Sequence, residues 1–177
     1  MSQPAIFLDR DGTLMDDPGY VGDPALVRVF PGVAKALLRL KEGGYRLVII
    51  TNQSGIARGK FTLADFEAVQ ARLMEDLGPG LIDATYMCPD GPAGESGRRK
   101  PSPAMILEAT RDLALDLDRS WMIGDKDIDV QCGVAAGVRA ILVRSGQGAA
   151  ATGEGASAVV ENLEQAAEVI LGFSRKD

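Results

Sequence analysis

Phe7-Leu8-Asp9-Arg10-Asp11-Gly12-Thr13 starts as the end of a buried strand and finishes with two carboxylates two residues apart, followed by a glycine. The apolar run from Ala5 to Leu8 predicts a strand. In open α/β sheets, ligands gather at the carboxyl ends of the strands. Residues i and i+2 of an extended chain share a face, so Asp9 and Asp11 can converge on one cation while Gly12 lets the chain turn away. One carboxylate can attack phosphorus while the other shuttles a proton to the leaving oxygen. The competing reading is a capping or Asp-Gly turn pair without chemistry.

Outward from this motif, short β-branched runs alternate with segments of helical period, the signature of an α/β fold with a doubly wound, mainly parallel sheet. Further strands are predicted over Arg46 to Thr51, Asp83 to Met87, Ser120 to Ile123 and Arg139 to Val143. Helices are predicted from Val33 to Lys41, from a Thr62 cap to the Gly78-Pro79-Gly80 stop, from Ser102 with Pro103 in its first turn, and from Asp127 to Ala136. The Gly- and Ala-rich stretch from Gly146 to Ser157 reads as a mobile connector to an edge strand at Ala158 to Val160 and a last helix from Asn162 to Leu171. Pro89 to Arg99 holds three Gly and two Pro and reads as a loop.

At 177 residues, the chain is read as a single domain over 1–177, with no segment between its motifs long enough for a large cap. A net charge of −6 argues against nucleic acid as a partner. No apolar run is long enough to span a membrane, no signal peptide is visible, and two cysteines make no disulfide framework, so a cytoplasmic protein is expected. The chain contains no histidine, which confines its chemistry to carboxylates, Lys, hydroxyls and thiols.

Three more segments lie at predicted strand ends or helix starts. Thr51-Asn52-Gln53-Ser54-Gly55 offers hydroxyls and amides to phosphoryl oxygens, although its composition is also that of an ordinary loop. Arg58 follows closely and can fork onto a second phosphate or merely solvate the loop. Arg98-Arg99-Lys100-Pro101 is the one tight cationic cluster in an acidic chain. Gly124-Asp125-Lys126-Asp127-Ile128-Asp129 supplies a second acidic cluster, in which Asp125 suits a hard cation such as Mg²⁺. Asp127 and Asp129 can equally be carboxylates favoured by a helix N-terminus, and at least one is read that way. Together the four segments compose a phosphoryl-transfer site.

These motifs resemble those of the haloacid dehalogenase superfamily: Asp9-Arg10-Asp11-Gly12-Thr13, Thr51, Lys100 and Gly124-Asp125. Within it, Gly19-Tyr20-Val21, the stretch from Thr51 to Gly59, Arg99-Lys100-Pro101 and Gly124-Asp125-Lys126 resemble the heptose 1,7-bisphosphate 7-phosphatases, whose relatives hydrolyse histidinol phosphate. The resemblance implies Asp9 as nucleophile, Asp11 as acid then base, Thr51 and Lys100 on the phosphoryl group, and Mg²⁺ on Asp9, the Asp11 carbonyl and Asp125. It also implies a substrate side formed by Asp17, Pro18, Gly19, Tyr20, Asn52, Gln53, Ser54, Arg99 and Lys126, with Arg58 nearby. The expected partner is a small sugar phosphate, and the expected state is a monomer.

The family usually carries a zinc loop, a Cys-x-His pair followed by a Cys-x-Cys pair. Here Cys88-Pro89-Asp90 keeps only the first ligand, so no zinc is expected and the loop must fold by packing and turns alone. Two alternatives stay open: a histidinol-phosphate or other small sugar-phosphate phosphatase, and a phosphoacceptor receiver module. A receiver would carry its acceptor carboxylate at the end of a middle strand, whereas the third strand here ends in Tyr86-Met87-Cys88-Pro89.

Overall fold

The computed structural model describes residues 2–94 and 96–173. Six strands, β1 (Gln3–Leu8), β2 (Arg46–Asn52), β3 (Ala84–Cys88), β4 (Leu115–Gly124), β5 (Arg139–Val143) and β6 (Ala158–Val160), form one sheet in the order β3-β2-β1-β4-β5-β6. Every pairing is parallel. The chain winds outward from β1 to β3 on one side and from β4 to β6 on the other. The crevice where that direction reverses therefore lies between β1 and β4, directly above Asp9.

Strand alternation sends Ile6, Leu8, Leu47, Ile49, Ile123 and Ile141 to one apolar layer and Phe7, Val48, Ile50, Met122 and Leu142 to the other. Helices α1 (Val33–Glu42), α2 (Leu63–Leu77) and α5 (Leu163–Phe173) cover the first, through stripes such as Val69, Leu73 and Leu77. Helices α3 (Ala104–Leu113) and α4 (Asp127–Ala136) cover the second, which takes in Met105, Ile106, Val130 and the buried thiol of Cys132. No insertion of domain size interrupts this arrangement among the described residues.

The α2 cap is the predicted one: the Thr62 hydroxyl accepts from Asp65 N–H at 3.2 Å, and the Asp65 carboxylate accepts from Thr62 N–H at 2.7 Å. Three expectations need correction. α3 begins at Ala104, two residues late, because Pro103 takes the cap position rather than the first turn. β4 begins at Leu115, well before Ser120, because its first residues pair with Gln3 and Pro4 before the register shifts. At that shift, Ala5 N–H bonds the Ser120 hydroxyl at 2.8 Å instead of a backbone carbonyl. The connector expected to be mobile is pinned: Asp127 accepts from Thr152 N–H at 3.0 Å and Gly153 N–H at 2.8 Å, and Arg144 donates to Ala151 O at 3.1 Å.

Candidate active site

Asp9 follows directly from β1, its N–H donating to Ile123 O of β4 at 2.9 Å, and its side chain is buried. Lys100 reaches it from the turn before α3, with Nζ 2.6 Å from Asp9 Oδ1. The same ammonium donates to Ile50 O at 2.9 Å and forms an ion pair with Asp129 Oδ1 at 2.7 Å. Asn52 fixes the Lys100 backbone from both sides: its Oδ1 accepts from Lys100 N–H at 3.0 Å and its Nδ2 donates to Lys100 O at 3.1 Å. The Lys100–Pro101 peptide is cis.

Asp125 stands at the end of β4, fully buried, with Oδ2 accepting from Gln147 N–H at 2.7 Å. Its other oxygen, Oδ1, is buried with no hydrogen-bond partner. Oxygens of Asp9, Asp125 and Asp129 all lie within 4.8 Å of one another. Burial, then the charge of Asp129, pushes the Asp9 carboxyl up to about 6 despite Lys100. Burial, then the charge of Asp9, pushes Asp125 up to about 7. Burial works against the Lys100 charge, but Asp129 and Asp9 outweigh it and raise its pKa.

Three carboxylates thus face two ammonium groups, Lys100 and Lys126, and the cluster is short of positive charge. An orphaned oxygen inside a set of hard oxygen donors fits a small divalent cation, since an unpaired buried carboxylate oxygen is costly and such cations take carboxylates together with water and phosphate. Backbone geometry keeps the opening clear. Gly12 has φ +87°, and a Cβ placed on it would lie 2.3 Å from Asp125 Oδ2.

Beside the cluster, Asp11 accepts from Arg10 through Nε–Oδ2 and Nη2–Oδ1, both at 3.0 Å. Gln53 Nε2 donates to Asp11 Oδ2 at 2.7 Å and to the Thr51 hydroxyl at 2.8 Å. Asp11 then opens onto a cavity of about 260 Å³ that is also lined by Asp17, Gly19, Tyr20, Ser54, Lys126 and Gln147. Lys126 Nζ pairs with Asp17 Oδ2 at 3.3 Å, and Asp17 Oδ1 accepts from Gly19 N–H at 3.1 Å, which shapes that wall. Tyr20 holds φ +49°, a left-handed conformation uncommon outside glycine, and is 46% exposed.

A family model for HAD-hydrolase-like proteins matches residues 97–166. The D-glycero-beta-D-manno-heptose-1,7-bisphosphate 7-phosphatase of Salmonella typhi is 44% identical over 171 residues, 91% of each chain. The enzyme of that name from Escherichia coli K12 is 46% identical over 156 residues, 82% of each. Among solved structures, the D,D-heptose 1,7-bisphosphate phosphatase from B. bronchiseptica, complexed with magnesium and phosphate, superposes with TM-score 0.89 at 34% identity, covering 96% of this chain and 99% of that one. The chain belongs to the heptose bisphosphate phosphatases of the haloacid dehalogenase superfamily.

For this phosphatase chain the structure brings Asp9, Asp11, Thr51, Lys100 and Asp125 to one sheet edge, with Asp17, Gly19, Tyr20, Asn52, Gln53, Ser54 and Lys126 around the cavity. Pro18 and Arg99 are not part of the cavity wall, and Arg58 lies exposed beyond it. Arg99 donates to Asp90 O at 3.0 Å, whereas Arg98 turns away to fork onto Glu108. Two further residues hold the site together without having been assigned to it from the sequence. Asp129 has the cap role expected of a helix-start carboxylate, accepting from Lys126 N–H at 3.0 Å, and its second oxygen also faces Lys100. Its placement four residues after Asp125 on an opening helix was the available signal. Gln147 gave none, since it supplies a backbone N–H from within a Gly- and Ala-rich stretch.

Proposed function

We propose that this protein is a Mg²⁺-dependent phosphomonoesterase that removes the 7-phosphate of D-glycero-D-manno-heptose 1,7-bisphosphate, carrying the phosphoryl group on Asp9. The observation that carries the reading is the Asp9–Asp125–Asp129 cluster with its orphaned Asp125 oxygen, set beside a second carboxylate, Asp11, that opens to the cavity. The relatives' named activity supports the substrate.

An Asp9 oxygen attacks phosphorus as the ester P–O bond breaks, and Asp11 gives its proton to the departing sugar oxygen. Asp11 then takes a proton from water, whose oxygen attacks the phosphoryl group and frees Asp9. Lys100 and Thr51 would stabilise the charge that gathers on the equatorial oxygens, and Asn52 and Ile50 O hold Lys100 in position for that role. Asp9, the Asp11 carbonyl and Asp125 would hold Mg²⁺, which supplies charge neutralisation on the phosphoryl group. The cavity walls formed by Asp17, Gly19, Tyr20, Ser54 and Lys126 take the sugar, and Arg99 would recognise the substrate from beyond them.

Residues 1–177 act as one cytoplasmic domain and one monomer, without nucleic acid or membrane partners; no helix among the described residues is long and apolar enough to cross a membrane. Zinc is not required. The loop after Cys88 closes on itself instead: the Asp90 carboxylate accepts from Ser96 N–H at 3.2 Å, and Gly94 N–H donates to Gly91 O at 3.0 Å.

The test is a rapid-quench experiment with substrate carrying ³²P at either phosphate. Label from position 7 should appear on the Asp9 peptide before it appears as free phosphate, and label from position 1 should stay on the sugar. Phosphate released with no protein-bound label at any time in the first turnover would sink the reading. Many turnovers per chain would also exclude a receiver module.

A further inference from the structure

Arg10 is a residue of the first motif that the mechanism leaves unused, and it is fully buried. Burying a guanidinium is costly unless every side of it is engaged. Its Nε and Nη2 lie on the two oxygens of Asp11 at 3.0 Å each, its carbon sits 5.1 Å from the centre of the Phe66 ring, and its Nη1 reaches Gln70 Oε1 at 3.5 Å. Phe66 and Gln70 are one turn apart on α2, and Gln70 is itself held by a 3.0 Å hydrogen bond to Thr85 on β3. The guanidinium plane is therefore fixed from beneath by α2, and the fork fixes the plane of the Asp11 carboxylate.

We infer that Arg10 is a positioning residue for the proton transfer, clamping Asp11 so that one defined lone pair faces the leaving oxygen. A carboxylate offers about four acceptor positions, two on each oxygen. Arg10 takes one on each and Gln53 takes the second on Oδ2, at 2.7 Å. The position left over is on Oδ1, on a side chain that is 16% exposed and lines the cavity. The proton handed to the ester oxygen thus leaves from Oδ1. A buried arginine with only a structural role would need no such match to a carboxylate that itself reaches the substrate.

The inference rests on Asp11 being the acid of the proposed reaction, and leaving-group dependence separates the two claims. The readout is kcat/KM for a heptose phosphate, whose alkoxide must be protonated as it leaves, against p-nitrophenyl phosphate, whose phenolate leaves without help. Asp11→Asn should lose the sugar ester far more than the aryl ester. Arg10→Met should follow it, losing the sugar ester on the order of 10²-fold and the aryl ester less than about tenfold. Arg10→Lys, which keeps the charge and loses the fork, should not restore the sugar ester. Phe66→Leu, a milder change, should show the same bias on a smaller scale and keeps the test valid if the Arg10 variants fold poorly. Equal losses on both esters in folded Arg10 and Phe66 variants, beside a biased Asp11→Asn, overturn the Arg10 inference alone. An unbiased Asp11→Asn overturns the acid assignment, and the inference falls with it.

Discussion

Replacing Gly12 by alanine presses on the cation site without replacing a carboxylate. The new Cβ would lie 2.3 Å from Asp125 Oδ2, against an ordinary contact distance of at least 3.4 Å. Asp125 must therefore retreat by about 1 Å, and misplacement on that scale costs about 10²-fold in rate. It cannot do so freely, because Oδ2 is tied to Gln147 N–H at 2.7 Å and the residue is fully buried. The backbone adds strain, since φ of +87° lies where a side chain costs about 1–2 kcal/mol. Phosphate release measured across a Mg²⁺ titration should show a rate about 10²-fold lower and a half-saturating Mg²⁺ concentration shifted upward. Thermal unfolding should show a loss of only a few degrees. A folded Gly12→Ala protein with wild-type Mg²⁺ dependence would refute the placement of the cation against Asp125.

Lys100→Met leaves Asp9 and Asp129 buried without their shared cation, and urea unfolding should register a loss of about 3–5 kcal/mol along with lost turnover. Asp9→Asn should remove turnover with near wild-type circular dichroism; a wild-type rate would exclude it as nucleophile. Asp83 concerns stability alone. Burial works against its charged form, but Leu47 N–H at 2.8 Å, Arg46 and Lys41 outweigh it and hold the carboxyl below its usual range. A depressed folded-state pKa stabilises above the unfolded value and is lost as pH falls through the folded one. Asp83→Asn should therefore cost about 1–3 kcal/mol at pH 7, and the gap to wild type should close below about pH 4. A gap that persists in acid would assign the loss to packing.

Local signals made much of this legible in the chain. Thr62 with Asp65 announces α2, and Asp9-x-Asp11-Gly12 at the end of an apolar run places the site at the sheet edge. What escaped depends on contacts distant in sequence. The start of β4 follows from a register shift against β1 that no periodicity encodes. Asn52 and Gln53, expected on the substrate side, line the cavity, and their amides also hold Lys100 and Asp11, a second role that a sequence cannot announce because it does not say which way an amide points. Gln147 acts through its main chain, where side-chain identity carries no signal.

The most direct test of the central claim is Mg²⁺-dependent phosphate release, as kcat/KM, from both anomers of D-glycero-D-manno-heptose 1,7-bisphosphate, histidinol phosphate and simple sugar phosphates. One heptose bisphosphate anomer should exceed every other ester by orders of magnitude, with a single phosphate released per molecule. A preference for histidinol phosphate, or a flat profile across the panel, would contradict the heptose assignment. No release from any ester would contradict the phosphatase mechanism itself.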